Sequence, residues 1–199
     1  MTQTLVIMLK EPRPGRVKTR LGRDIGMTAA AWWFRHQSAR LIRHLQDPRW
    51  KIVLAVSPDS TGLDSRVWPV HLCRCGQGRG NLGDRMARLL SAQVPGPACV
   101  IGADIPGITR AHIARAFAAL GPAEAVLGPA PDGGYWLVGL KNTRPAPSGL
   151  FRSVRWSTEY ALADTVDTMR DLRVSYVDNL QDVDTLDDLG MTTLGVRAT

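Results

Sequence analysis

ACVIGADIPG, residues 98–107, is the stretch on which the reading of this chain turns. Ala98 to Ile101 are apolar without alternation, the pattern of a strand covered on both faces. Pro106 has no backbone N–H to give to a ladder, so the strand must stop before it. Asp104 therefore ends the strand read over 98–104. Ligands of open α/β sheets gather outside the carboxyl ends of the strands, which puts this carboxylate where a polar site is expected. The plainer alternative is an Asx turn that only closes the strand–loop junction.

The same alternation extends to both sides. TLVIML (4–9), KIVLAVS (51–57) and VHLCRC (70–75) read as three earlier strands, and AVLGPA and YWLVGLK as two later ones. Between them, Thr28 caps a helix to about Leu45, and Asn81 caps one with Leu82, Met86, Leu89 and Leu90 on a single face. Thr109 caps a third, stopped by Gly121-Pro122, and residues 158–171 hold a fourth carrying Leu162, Val166 and Met169. The chain closes with VSYVDNL and the acidic turn QDVDTLDDLG. Strands alternating with helices predict an α/β sandwich with a mostly parallel sheet, in one domain over 1–199.

Of the 199 residues, 44% are apolar and 22% charged, as in ordinary folded proteins and unlike disordered ones. No apolar run approaches the roughly 18–20 residues of a membrane span. The opening MTQTLVIMLK lacks the basic start and cleavage site of a signal peptide, so cytoplasm is the expectation. Cys73, Cys75 and Cys99 form neither an even disulfide framework nor a zinc pattern, and no metal or redox role is assigned to them. The net charge of +7 is lopsided: residues 1–90 hold 16 cations and 6 acids, and residues 91–199 hold 9 and 12. One half suits an anion and the other carries the carboxylates, with room between them for a nucleotide and Mg²⁺.

The basic stretch KEPRPGRVKTRLG (10–22) follows the first strand. It is not a G-x-x-x-x-G-K-[ST] loop, and most charge runs are simply solvated. Its Pro-Gly stiffening and its place after a strand favour phosphate contact by Arg16, Lys18 and Arg20, leaving Lys10, Arg13 and Arg23 to water. A nucleic-acid face would interleave aromatics with the cations, and the nearby Trp32, Trp33 and Phe34 read mostly as core. GRGNLG (78–83) matches G-x-G-x-x-G, with Asp104 at the spacing a dinucleotide fold wants. A phosphate-binding helix N-terminus, with Gly78 and Gly80 as its bare backbone, is the reading that needs no NAD.

Asp182 and Asp184 point the same way if extended, and with Asp104 could hold Mg²⁺ if the C-terminal turn folds back over the strand end. Asp132-Gly133-Gly134, followed by Tyr135, joins two strands. It is either a hairpin turn or a loop whose bare backbone lets a second substrate approach.

KEPRPGRVKTRL, QGRGNLGDRM, IGADIPG, GPAPDGGYWLVGL, LFRSVRWS and DVDTLDDL, in this order, resemble an uncharacterised bacterial family of GT-A-like transferases. Its members are named as glycosyltransferases or nucleotide-diphospho-sugar transferases, and it is similar in fold to 2-phospholactate guanylyltransferase and to molybdenum-cofactor nucleotidyltransferases. The resemblance covers nearly the whole chain and implies a Rossmann-like three-layer α/β sandwich of the GT-A type. By position it makes Lys18 and Arg20 the nucleotide-phosphate loop, Asp104 a metal ligand, Asp182 and Asp184 the D-x-D acids, and Asp132 to Gly134 the D-G-G-Y loop. Asn81 departs from the family's usual Asp; the cap should survive, but a role needing charge there would not.

The function expected is Mg²⁺- (or Mn²⁺-) dependent transfer of a glycosyl group from a nucleotide-diphospho-sugar to a small acceptor, with Lys18 and Asp132 as catalytic groups. Nucleotidyl transfer to a small phosphorylated acid, with pyrophosphate release, is the alternative. An NAD(P)-dependent oxidoreductase ranks lower, as does an RNA-binding protein.

Overall fold

A computed structural model describes residues 2–92, 96–142 and 145–181. Seven strands make one sheet: β1 (Gln3–Lys10), β2 (Trp50–Ser57), β3 (Cys73–Gly76), β4 (Ala98–Ile101), β5 (Ala125–Pro129), β6 (Tyr135–Leu140) and β7 (Val174–Tyr176). Their spatial order is β3-β2-β1-β4-β6-β5-β7, and every pairing is parallel except the two made by β6. Side chains alternate across the pleat into two cores. Leu5, Ile7, Leu9, Leu54 and Ile101 join one with Phe34 and Ile42 of α2 (Met27–His44) and Ile113 and Phe117 of α5 (Arg110–Ala119). Val6, Ala55 and Val100 face Met86 and Leu89 of α4 (Leu82–Ser91) and Ala161 of α6 (Ala161–Asp167). Each of the larger apolar side chains, fully buried, contributes about 1.5–3 kcal/mol, and the helices on both faces make the expected three layers.

Three local readings are corrected. The basic stretch is loop only to Lys18, because α1 (Thr19–Ile25) follows at once and buries Leu21 and Gly22. Gly22 is bare where the chain turns back: a Cβ there would lie 2.6 Å from Met27 Sδ. The long helix α2 is capped by Gly26, at φ 88°, and not by Thr28. The third strand starts at Cys73, three residues late, since Pro69–Leu72 forms a turn and leaves Val70 exposed. A further short helix, α3 (Asp59–Gly62), follows β2.

The position of β6 decides the geometry of the site. It is inserted antiparallel between β4 and β5, pairing Ile101 with Leu137. Its amino end therefore lies at the edge where β1, β4 and β5 end. The hairpin loop Asp132–Gly134 and the Asp104 loop share that edge.

Candidate active site

A cleft of about 590 Å³ opens along this edge. Its floor is apolar, from Met8, Leu9, Val100, Ile101 and Leu137, and its walls carry Lys10, Lys18, Thr19, Arg20, Asn81, Arg85 and Asp104. Phe34 of α2 closes one side, whereas Trp32 points outward and is 56% exposed. Lys10, expected in water, thus belongs to the cleft.

Lys18 and Asp104, 86 residues apart in the chain, meet here: Nζ donates to Oδ2 at 2.9 Å. The Lys18 side chain is 6% exposed and that of Asp104 33%. Burying an ammonium is costly unless it is paired, and the Asp104 carboxylate supplies such a pairing. Lys18 also adopts the left-handed conformation (φ 44°, ψ 49°) at the start of α1, at a cost of about 1–2 kcal/mol for a residue with a Cβ. β4 itself ends at Ile101, so Asp104 stands in the loop beyond it. Gly102 is what lets that carboxylate fold back: a Cβ there would lie 2.8 Å from its Oδ1.

The glycine-rich loop after β3 is fixed from beneath. Gln77, 3% exposed, donates through Nε2 to the carbonyls of Leu9 and Ala55, both at 2.9 Å, tying the ends of β1 and β2. Arg88 donates to the carbonyls of Gln77 (2.6 Å) and Arg79 (2.9 Å). Asn81 and Asp84 exchange side-chain-to-backbone bonds in a capping box that begins α4. The cap expected of Asn81 is present, and Gly80 lines the cleft. Gly78 does not line it: its amide donates to the Asp59 carboxylate at 3.1–3.2 Å, which withdraws it from any phosphate. Arg16 is exposed and lies outside the lining, beyond the turn that its amide closes on Arg13. Sequence reasoning missed Arg85, although an arginine four residues after a helix cap stands one turn into the helix, on the cap's side.

A second cavity, of about 220 Å³, adjoins the first, and Leu82, Gly102, Asp104, Tyr135 and Trp136 line both. Its far wall is Ala130, Asp132, Gly134, Trp156, Ser157 and Thr158. Asp132 Oδ1 accepts the Gly134 amide at 2.9 Å, an Asx turn inside the hairpin. Gly133, at φ 82°, packs on the Glu159 backbone, and its carbonyl accepts from Leu162 at 2.9 Å. Its bareness serves the chain's own packing, as a hairpin turn requires, while Asp132, Gly134 and Tyr135 line the second cavity. The Tyr135 hydroxyl accepts from Thr165 at 3.3 Å, and burial pushes its pKa up, so it stays protonated at neutral pH.

The loop bearing Trp156 is clamped by Arg155, whose Nε and NH2 both donate to Asp164 at 2.8 Å and whose backbone amide adds a third bond at 3.0 Å. Those bonds hold the Asp164 pKa down to about 2. The Arg155 guanidinium also lies over the Tyr160 ring, 4.0 Å from its centroid. LFRSVRWS therefore builds a wall of the site, a role that its residue types alone do not announce.

Asp182 and Asp184 lie outside the described residues. Near the edge that bears the site, the Leu180 amide donates to the Pro129 carbonyl at 3.2 Å. Among the described residues, no three acidic, His or Cys side chains are grouped as a metal site. Mg²⁺ needs no such cage, because it keeps waters and substrate oxygens beside one or two carboxylates. A part-exposed Asp104 at the mouth of a cationic cleft fits that manner of binding.

The chain belongs to DUF2064, a family of uncharacterized proteins conserved in bacteria, which it matches over residues 41–158. No curated protein matches it. Among solved structures it resembles a "putative nucleotide-diphospho-sugar transferase" from Desulfovibrio desulfuricans G20, at 27% identity and TM-score 0.89, covering 100% of this chain and 90% of that one. It is also similar to CMP:2-keto-3-deoxy-manno-octonic acid synthetase complexed with CTP (9% identity, TM-score 0.59, 100% of both chains). A third is Rv0371c of Mycobacterium tuberculosis H37Rv in complex with manganese (18%, TM-score 0.53, 96% of this chain and 97% of that one). The fold is that of the nucleotide-diphospho-sugar transferases, as the ordered motifs imply. Among the described residues no helix is long and apolar enough to cross a membrane.

Proposed function

We propose that this transferase binds a nucleotide-diphospho-sugar in the larger cleft and passes the glycosyl group to an acceptor in the smaller cavity. The observation that carries the reading is Asp104, which lines both spaces and is paired with Lys18 between them. A left-handed lysine is strain of the kind that concentrates at functional sites.

In this reading Lys10, Lys18, Arg20 and Arg85 receive the donor diphosphate, and Gly80 and Asn81 let it approach the start of α4. As the bond from the anomeric carbon to the diphosphate oxygen breaks, charge grows on that oxygen, and the same cations stabilise it most in the transition state. Asp132 faces the acceptor side, where it orients the attacking group and takes its proton. Mg²⁺ or Mn²⁺, when bound, would be held by Asp104, with Asp182 and Asp184 as further carboxylates, and supplies positive charge against the leaving diphosphate. The manganese bound by a protein of similar fold supports this assignment.

Nucleotidyl transfer is the second reading, favoured by the CTP held in another similar fold. There the α-phosphorus is attacked and pyrophosphate leaves. The dinucleotide reading loses its support at two residues, since the Gly78 amide is bonded to Asp59 and Asp104 to Lys18.

Calorimetry with nucleoside di- and triphosphates, with and without Mg²⁺, tests the site. Lys18→Ala should weaken binding at least tenfold, about 1.4 kcal/mol, and Asp104→Asn should remove the Mg²⁺ dependence. Wild-type affinity in both variants would sink the assignment. Release of nucleoside diphosphate from a nucleotide-sugar, as against pyrophosphate from a triphosphate, separates the two reactions.

A further inference from the structure

We infer that the acceptor taken by the smaller cavity bears a hydroxyl or an amine on an apolar or ring-shaped body, and carries no phosphate. The inference rests on the transferase reading and adds the acceptor's chemical class to it.

The two spaces differ in charge. Four cations line the larger cleft, whereas no Lys or Arg is among the described residues lining the smaller one. Phosphate recognition relies on guanidinium forks, ammonium groups or clustered backbone N–H donors. The basic residue next in sequence to the cavity wall is Arg155, and both of its side-chain bonds go to Asp164. The carboxylates lining the cavity are Asp104, already facing Lys18, and Asp132, so Asp132 sets the sign of the charge a ligand meets. A phosphomonoester beside Asp132 would be desolvated against a carboxylate, with no Lys or Arg among the described lining residues to receive it, while a hydroxyl or ammonium would donate to that carboxylate.

Three rings, Tyr135, Trp136 and Trp156, stand in the remaining wall, beside aliphatic side chains and the hydroxyls of Ser157 and Thr158. The Trp136 indole N–H donates to the Asp178 carbonyl at 2.8 Å, and the Tyr135 hydroxyl is bonded to Thr165, so these rings offer a ligand mostly carbon surface. The Trp156 Nε1–H is buried with no partner among the described residues, so this ring too offers the cavity mostly carbon surface. A volume of about 220 Å³ corresponds to about seven waters at ~30 Å³ each, enough for a small acceptor or the end unit of a longer one.

The chemistry balances on these terms. The acceptor oxygen or nitrogen forms the new bond to the anomeric carbon, the carbon–oxygen bond to the diphosphate breaks with its electron pair going to that oxygen, and the acceptor's proton passes to Asp132. A phosphorylated acid, the acceptor of the nucleotidyl alternative, is disfavoured by the same wall.

The test uses the full chain saturated with its best-binding nucleoside diphosphate, so that the larger cleft is filled and the probes report on the smaller one. Saturation-transfer NMR then compares glucosamine with glucosamine 6-phosphate, myo-inositol with myo-inositol 1-phosphate, and tyrosine with phosphotyrosine. At least one free compound should bind, at least tenfold more tightly than its phosphate ester, and Asp132→Asn should narrow that ratio at least threefold with nucleotide affinity unchanged. Phosphate esters binding equally or better, or no free compound binding at millimolar concentration, would overturn the inference. Failure of every nucleotide to bind at the outset would instead overturn the transferase reading.

Discussion

Asp164 is held by Arg155 through two side-chain bonds and one backbone bond, and its pKa falls from the ordinary 3.8 to about 2. A carboxylate with a lowered folded-state pKa adds stability above its unfolded value, and loses that contribution as pH drops through the folded value. Asp164→Asn should therefore be less stable than wild type at pH 5–7, with the gap closing between about pH 4 and pH 2. Urea titrations across that range measure it, and a gap independent of pH would show that the charge contributes nothing. Lys18 is the opposite kind of residue. Its left-handed backbone and buried ammonium do not favour folding on their own, and the distant Asp104 carboxylate offsets part of that cost. The sequence marks Lys18 as one cation among several in a basic run, because a side chain's partner across 86 residues leaves no local trace.

At the scale of elements, most of α4 is announced by its sequence. Asn81 caps it, and Met86, Leu89 and Leu90 fall on the buried face. Leu82, expected on that same face, is 44% exposed, and sequence reasoning missed the Asp84 half of the cap. Asn81→Ala should cost about 1 kcal/mol, read from the urea midpoint, while Asn81→Asp should stay within a few tenths because both side chains accept the same amide bond. The basic run shows where local signals fail. Two prolines and two glycines suggest loop, yet Thr19–Ile25 is helical, with Leu21 buried and the helix packed on α2. The Asp-Gly-Gly hairpin is legible as a turn, but not as part of a site. Only the insertion of β6 between β4 and β5 brings its amino end beside Asp104.

Across the whole molecule, two cores on opposite faces of one sheet stabilise the edge at which the site is built. Ile7, fully buried at the centre of β1, is a direct probe. Ile7→Ala should lower stability by about 2–5 kcal/mol through lost burial and a residual cavity. Urea unfolding would register it, and nucleotide affinity in the folded fraction should be unchanged because Ile7 lines neither space. By itself the sequence determined the α/β class, the strands β1, β2, β4, β5 and β6, the caps of α4 and α5, and the cationic and acidic halves. Those properties depend on periodicity, capping chemistry and charge, all of which act between residues near one another in the chain. Only the tertiary structure decided that Lys18 faces Asp104, that Lys10 and Arg85 join the cleft while Gly78 does not, and that Asp104 stands between a cationic space and one with three rings in its wall. Those outcomes follow from strand order and from side chains competing for the same buried partners, and neither is encoded within any single stretch of the chain.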